Sequence, residues 1–235
     1  MKTADTKPNI DLPLEGMKKI VVVSVVILVI MAAVRDIYLH VYGTETALRG
    51  LNMFRLDAEN NFGAWFASLM LASNAFLAFM CARSARAEND GPVSRNWFLI
   101  SVILVCMSFE EIVGFHERTN DPIRGILNVD GLLYYAWVIP GAFLVAVVGA
   151  FFLPFLWKIP RRTAYGLFIA GAIYVSGALG MELIGALLVS QGEFESNQYR
   201  LAVLLEETME LSGLAILFWV LSDYIRDRTG AWRLT

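Results

Sequence analysis

The apolar positions of this chain fall in long unbroken blocks, not in alternating or strictly striped patterns. Six blocks approach the roughly 20 mostly apolar residues that a helix needs to cross a bilayer: 19–43, 62–82, 96–117, 133–157, 163–190 and 200–224. The pattern predicts an all-α fold, a polytopic membrane helix bundle of six transmembrane helices. Two blocks carry acids inside them. The third ends in S-F-E-E-I-V-G-F-H-E-R-T at 108–119, and the sixth contains L-E-E-T-M-E-L at 205–211.

Composition agrees with a membrane setting. The chain is 57% hydrophobic and 17% charged, with mean hydropathy +0.57, whereas soluble domains run nearer half apolar and a quarter charged. The net charge of −3 offers nothing to nucleic acid. The partners implied are the lipid bilayer and, as a further expectation, subunits of a membrane complex. The polar start, M-K-T-A-D-T-K-P-N-I-D-L-P-L-E-G-M-K-K, precedes an apolar stretch longer than a signal-peptide core and no small-residue cleavage site follows, which predicts an uncleaved first span.

Basic residues set the orientation, because lysine and arginine in short loops mark the cytoplasmic side. Lys2, Lys7, Lys18, Lys19, Arg83, Arg86, Arg95, Lys158, Arg161, Arg162, Arg226, Arg228 and Arg233 fall on one side. Arg49, Arg55, Arg118, Arg124 and Arg200 fall on the other. Both termini are therefore expected in the cytoplasm. One domain, 1–235, covers the chain, with a cytoplasmic segment at 1–18, an outer interfacial connection at 44–61 and a cytoplasmic tail at 225–235. In that connection Leu48, Leu51 and Phe54 share a helical face and predict a short amphipathic helix. Asn60 or Asn61 is expected to cap the second span.

Orientation turns position into depth. At 1.5 Å per residue, Asp36, Glu110, Glu111, Glu182, Glu206, Glu207 and Glu210 all fall about 10–15 Å inside the outer ends of their spans. His40 and His116 lie just above this layer, and Arg35 is the only basic residue within it. Residues 20–34, 97–109, 164–181 and 211–222 contain no Asp, Glu, Lys, Arg or His. Intramembrane charge costs several kcal/mol, so such groups face the bundle or a cavity. Seven carboxylates facing one arginine must take up protons, bind a cation or be screened by water.

Spacing refines the layer. Asp36 and His40 share a face, Glu207 and Glu210 converge, and so do Glu206 and Glu210. Glu110 and Glu117 lie on one stripe. Glu111 and His116, five apart, point about 140° away from each other on an unbroken helix. Either the helix ends before His116 or that histidine works above the layer. Pro140 in W-V-I-P-G-A is expected to loosen the carbonyl of Ala136, as a cavity-lining break or as a simple kink. Ala172, Ser176 and Gly180 recur every four positions, which predicts close helix packing. Cys81 and Cys106 lie at different depths and read as two buried thiols without a disulfide.

L-D-A-E-N at 56–60, S-F-E-E-I-V-G-F-H-E at 108–117, G-M-E-L-I-G at 180–185 and L-E-E-T-M-E-L-S-G at 205–213 resemble a family of bacterial six-span proteins of unassigned function. Its motifs are S-x-[DE]-E-x4-H-E and E-E-x-x-E-x-x-G, with Glu110 standing where the family usually has aspartate. The resemblance covers most of the chain, implies the bacterial inner membrane and brings no activity. The Glu-Glu-x-x-x-Arg motif of intramembrane CAAX-type proteases is broken by Phe115. Two histidines are too few for the zinc site of ceramidase-like hydrolases.

Three kinds of function fit the acidic layer. The first is a metal site open to the periplasm, mono- or binuclear, with Glu110, Glu111, His116, Glu182, Glu207, Glu210, Asp36 and His40 as candidate ligands and Arg35 as charge partner. Hard oxygen ligands with one or two imidazoles suit iron, manganese or zinc, and a redox or hydrolytic enzyme would follow. Carboxylate-bridged bundles use Glu-x-x-His on two helices; here Glu207-x-x-Glu210 has only the stride. The second is a proton or cation transporter, disfavoured by the apolar inner half. The third is a protonated carboxyl network in a structural subunit of a membrane complex.

Overall fold

The computed structural model describes residues 14–43, 49–56, 58 and 61–229. They form an all-α bundle with no strand among the described residues. Helix α1 (Leu14–Tyr42) is followed by a 3-10 turn (Arg49–Phe54), α2 (Phe62–Ala87) and α3 (Gly91–Val113). A short helix, α4 (Phe115–Leu127), and a 3-10 turn (Gly131–Leu133) lead to α5 (Val138–Leu156). Then come α6 (Arg161–Val175), a π-helical segment (Ser176–Met181), α7 (Glu182–Ser190) and α8 (Asn197–Thr229). The third span thus ends before His116. The short helix expected near Leu51 and Phe54 is a 3-10 helix, with those two residues half-buried and Gly50, Asn52 and Met53 exposed, while Leu48 lies outside the described residues. Asn61 is the cap of α2: its Oδ1 accepts from the Ala64 amide at 2.9 Å, and its side-chain amide donates to the carbonyls of Arg55 and Ala58. Asn60 lies outside the described residues.

Helix α8 runs through the middle and packs on α1, α2, α6, the π segment and α7, while α2 and α3 form a tight hairpin. The main core brings Leu71, Leu77 and Cys81 of α2 against Trp97 of α3, Phe155 of α5, and Leu214, Phe218 and Leu221 of α8. Four polar side chains at this core tie neighbouring helices together. Ser68 and Ser108 exchange hydrogen bonds at 2.9 Å, Ser101 donates to the Ala75 carbonyl at 2.8 Å, and Asn74 donates to the Leu214 carbonyl at 3.0 Å. Closely approaching helices with serine and asparagine as cross-links are how helices adhere where lipid removes the hydrophobic drive.

The outward faces are apolar. Phe143 is 72% exposed and Phe168 66% exposed, and Ile27, Ile30, Val105 and Phe151 are exposed as well. A surface of that extent would aggregate in water and suits lipid. Five helices are long and apolar enough to cross a membrane, namely Glu15–Tyr42, Phe62–Ala87, Gly91–Val113, Val138–Leu156 and Arg161–Ser190. Helix α8, 33 residues long, is interrupted by its own glutamates and is not one of them.

Several expectations change. Pro140 sits in the first turn of α5, where a missing N–H costs nothing. The Ala136 carbonyl still accepts, from the Ile139 amide at 3.2 Å, so there is no break in mid-span. The stripe of Ala172, Ser176 and Gly180 is exposed, and a Cβ on Gly180 would meet nothing within 4 Å. Close packing onto α8 uses a different face: Gly166 lies under Val220, Gly177 under the Glu206 carbonyl, and Gly213 under Ala170 and Tyr174. Cys81 is buried but Cys106 is exposed, and both are free.

Candidate functional site

The site begins where α3 stops. Gly114 adopts φ +58°, and its amide donates to the Glu110 carbonyl. That left-handed turn, which glycine makes without steric cost, swings His116 back over the helix end. His116 Nδ1 comes 2.7 Å from Glu110 Oε1, and the His116 backbone amide donates to the same oxygen at 2.9 Å. Of the two options that spacing allows for His116, the early helix end is the one realised. It also separates Glu117, now on α4 and exposed, from the stripe it was expected to share with Glu110.

His116 then meets Trp137, with ring centroids 4.6 Å apart. Trp137 is held at its backbone by Asn120, whose Oδ1 accepts from the Trp137 amide at 3.0 Å, and its indole Nε1 donates to Glu182 Oε1 at 2.8 Å. Glu182 opens α7 directly after the π segment. A π turn widens the helix and shifts the register of the residues after it, and such bulges recur at functional sites. Gly177 in that turn lets α8 approach, since a Cβ there would lie 2.8 Å from the Glu206 carbonyl oxygen.

From α8 comes the rest. The Glu206 carboxyl faces that of Glu182 within hydrogen-bonding reach and has Glu207 and Glu210 beside it. Glu210 meets the Tyr174 hydroxyl, and Glu111 lies near both. Glu111 in turn lies near Glu110, Glu117 and His116. Three separate helical units, α3–α4, α6–α7 and α8, therefore bring Glu110, Glu111, His116, Glu182, Glu207 and Glu210 together, all half-buried.

Two expected members are placed differently. Asp36 is paired with Arg35 at 2.6 Å and lines a separate pocket with Arg55, Glu195 and Arg200. His40 is exposed and lies 3.1 Å, through Nδ1, from Asn197 Oδ1. Arg35 is thus the partner of its chain neighbour. Trp137, Asn120 and Tyr174 were not foreseen. Trp137 reads from sequence as an interfacial anchor; the available signal for Tyr174 was a phenol in the middle of the charge-free run 164–181, where Tyr165 lies at the edge.

His116 stands on α4, beyond the apolar helix. Burial favours its neutral ring, but the hydrogen bond to Glu110 and the charges of Glu110, Glu117 and Glu182 outweigh that and raise its pKa above the ordinary imidazole value. Among the described residues, no group of three or more His, Cys, Asp or Glu side chains is arranged to hold a metal ion. The metal centre expected from the sequence has no ready ligand set there, because these carboxyls turn to an indole, a phenol, an imidazole and each other.

Fold and site together define an all-α membrane protein with an acid- and aromatic-lined interior at one end of the bundle. Over residues 20–224 the chain matches the family described as Domain of unknown function (DUF8692), and it belongs to that family. No curated protein and no solved structure matches it.

Proposed function

We propose that this is a six-span protein of the bacterial inner membrane, with both termini in the cytoplasm and the acidic site in the outer half. In this reading α8 is the sixth span. Its central position supports that: Glu206, Glu207 and Glu210 face neighbouring helices, so the helix can lie in the membrane without presenting them to lipid. The ion pairs at the opposite end, Lys18 with Asp223 and Arg228 with Glu88, suit an aqueous cytoplasmic border.

The site is a protonated carboxyl network within a subunit of a membrane complex, reached from the periplasmic side. The observation that carries this reading is the meeting of the Glu182 and Glu206 carboxyls. Two carboxylates are acceptors only and cannot hydrogen-bond unless one holds a proton. The shared proton ties α7 to α8, and Trp137 extends the tie to α5. The apolar core beneath supplies no relay toward the cytoplasm, which speaks against transport.

Infrared spectroscopy of the purified protein tests it. A protonated-carboxyl C=O band is expected at neutral pH and should weaken in Glu206→Gln. Its absence from the wild type would remove the proposal.

A second reading has one observation in its favour. Glu111, Glu182, Glu210 and His116 come from three helical units into mutual electrostatic range, a hard-ligand set for iron, manganese or zinc after side-chain rearrangement. Elemental analysis of the same preparation separates the two, since stoichiometric metal would replace the proton network.

A further inference from the structure

A second constellation lies apart from the glutamates, at the same end of the bundle. A shallow pocket between α1, the 3-10 turn after it and the start of α8 is lined by Arg35, Asp36, Arg55, Glu195, Tyr199 and Arg200. Arg35 Nη1 donates to Asp36 at 2.6 Å, and Glu195 is shared by Arg55 at 2.8 Å and Arg200 Nε at 3.6 Å. Among the described residues, three guanidinium groups therefore face two carboxylates.

Arg35 is 6% exposed. An arginine near a membrane border ordinarily snorkels into water, yet this one is held inside. Its Nε has no hydrogen-bond partner, and neither has Nε of Arg200, whose 3.6 Å approach to Glu195 is too long for one. Leaving two buried donors unmet beside one pocket is costly, and a turn of either side chain toward the pocket lets it meet an acceptor bound there. Guanidinium N–H groups match the oxygens of phosphate in direction as well as charge.

We propose that this pocket binds a phosphate group through Arg35 and Arg200, with Arg55 adding charge at the rim. Ala32, Leu56, Val203 and Leu204 form an apolar wall beside it, so the phosphate of a phospholipid headgroup can seat with its chains along that wall, as can a free phosphate ion. This site is independent of the carboxyl network.

Two probes test it on the full chain in detergent: inorganic phosphate, followed by calorimetry, and phosphatidylglycerol, followed by native mass spectrometry against a phosphate-free glycolipid. Binding of inorganic phosphate identifies the free ion as sufficient. Retention of phosphatidylglycerol alone identifies the lipid headgroup. In either case Arg200→Gln is expected to weaken binding about tenfold, the loss of one charge-assisted hydrogen bond. Arg35→Gln should do at least as much; if it does not fold, Arg200→Gln decides alone. Neither probe binding, or binding unchanged in Arg200→Gln, overturns the proposal.

Discussion

Trp137 donates its indole N–H to Glu182 at 2.8 Å, joining the start of α5 to the first residue of α7. Helix α5 packs lightly on α3, α6 and the π segment, so this bond and the Asn120 bond to the Trp137 amide anchor its start, while Phe155 anchors its far end in the core. Trp137→Phe keeps a ring in place and removes the donor. A hydrogen bond to a carboxyl contributes about 1–3 kcal/mol, and thermal unfolding in detergent should show a loss of that size. Stability unchanged within error would show that α5 is held by other means.

The two faces of the π segment give opposite outcomes for one chemical change. Gly177→Ala places a methyl 2.8 Å from the Glu206 carbonyl oxygen and 3.1 Å from Glu210 Cγ. Backbone must shift, at a cost of about 1–3 kcal/mol. Gly180→Ala meets nothing within 4 Å and should be tolerated. Melting curves of the two variants check this, and equal effects would mean that the helix pair does not pack as described.

That contrast also marks what the sequence can and cannot reveal. Apolar blocks gave helix positions to within a few residues, because burial in lipid depends on length and composition alone. The convergence of Glu110, Glu111, Glu182, Glu207 and Glu210 followed from depth counting. Which face of α6 packs did not: Ala172 is already exposed before the π segment begins, while Gly166 and Ala170 on another face meet α8, and small residues on both faces leave the choice unmarked in the sequence. Asp36 and His40 were grouped with the glutamates by depth, but the rotation of α1 about its axis carries no signal in one sequence. The return of His116 to Glu110 needed the left-handed turn at Gly114, whose spacing allowed two outcomes.

At the other end of the bundle, Lys18 is 2% exposed and lies 2.5 Å from Asp223, which also receives Arg226 at 3.0 Å. The two partners are therefore unequal. Asp223→Asn leaves Lys18 buried with Glu15, itself mostly exposed, as its remaining acid partner. Lys18→Met leaves Asp223 with two arginines, Arg162 and Arg226. Removing one partner of a buried pair costs about 3–5 kcal/mol when the other is stranded, so Asp223→Asn should approach that range and Lys18→Met should fall clearly below it. Denaturation of the two variants side by side measures the difference, and the reverse order would contradict the asymmetry.

The His116–Glu110 contact makes stability depend on pH with a definite sign. His116 has its pKa raised in the folded protein, despite burial, by Glu110 and by the charges of Glu117 and Glu182, with Glu111 and Glu210 also facing it. A group whose pKa is higher folded than unfolded stabilises the fold in its protonated form. That contribution is fully present below the unfolded imidazole value of about 6.5 and is lost as pH rises through the raised folded value. The melting temperature of the wild type minus that of His116→Gln should therefore be largest in mild acid and shrink as the solution becomes alkaline. With only two histidines in the chain, imidazole NMR in a His40→Gln background reads the His116 titration directly. A midpoint at or below the ordinary value would mean that burial prevails over the carboxylates. The pairing with Glu110 would then be a contact between a neutral ring and an acid, with no proton gained on folding.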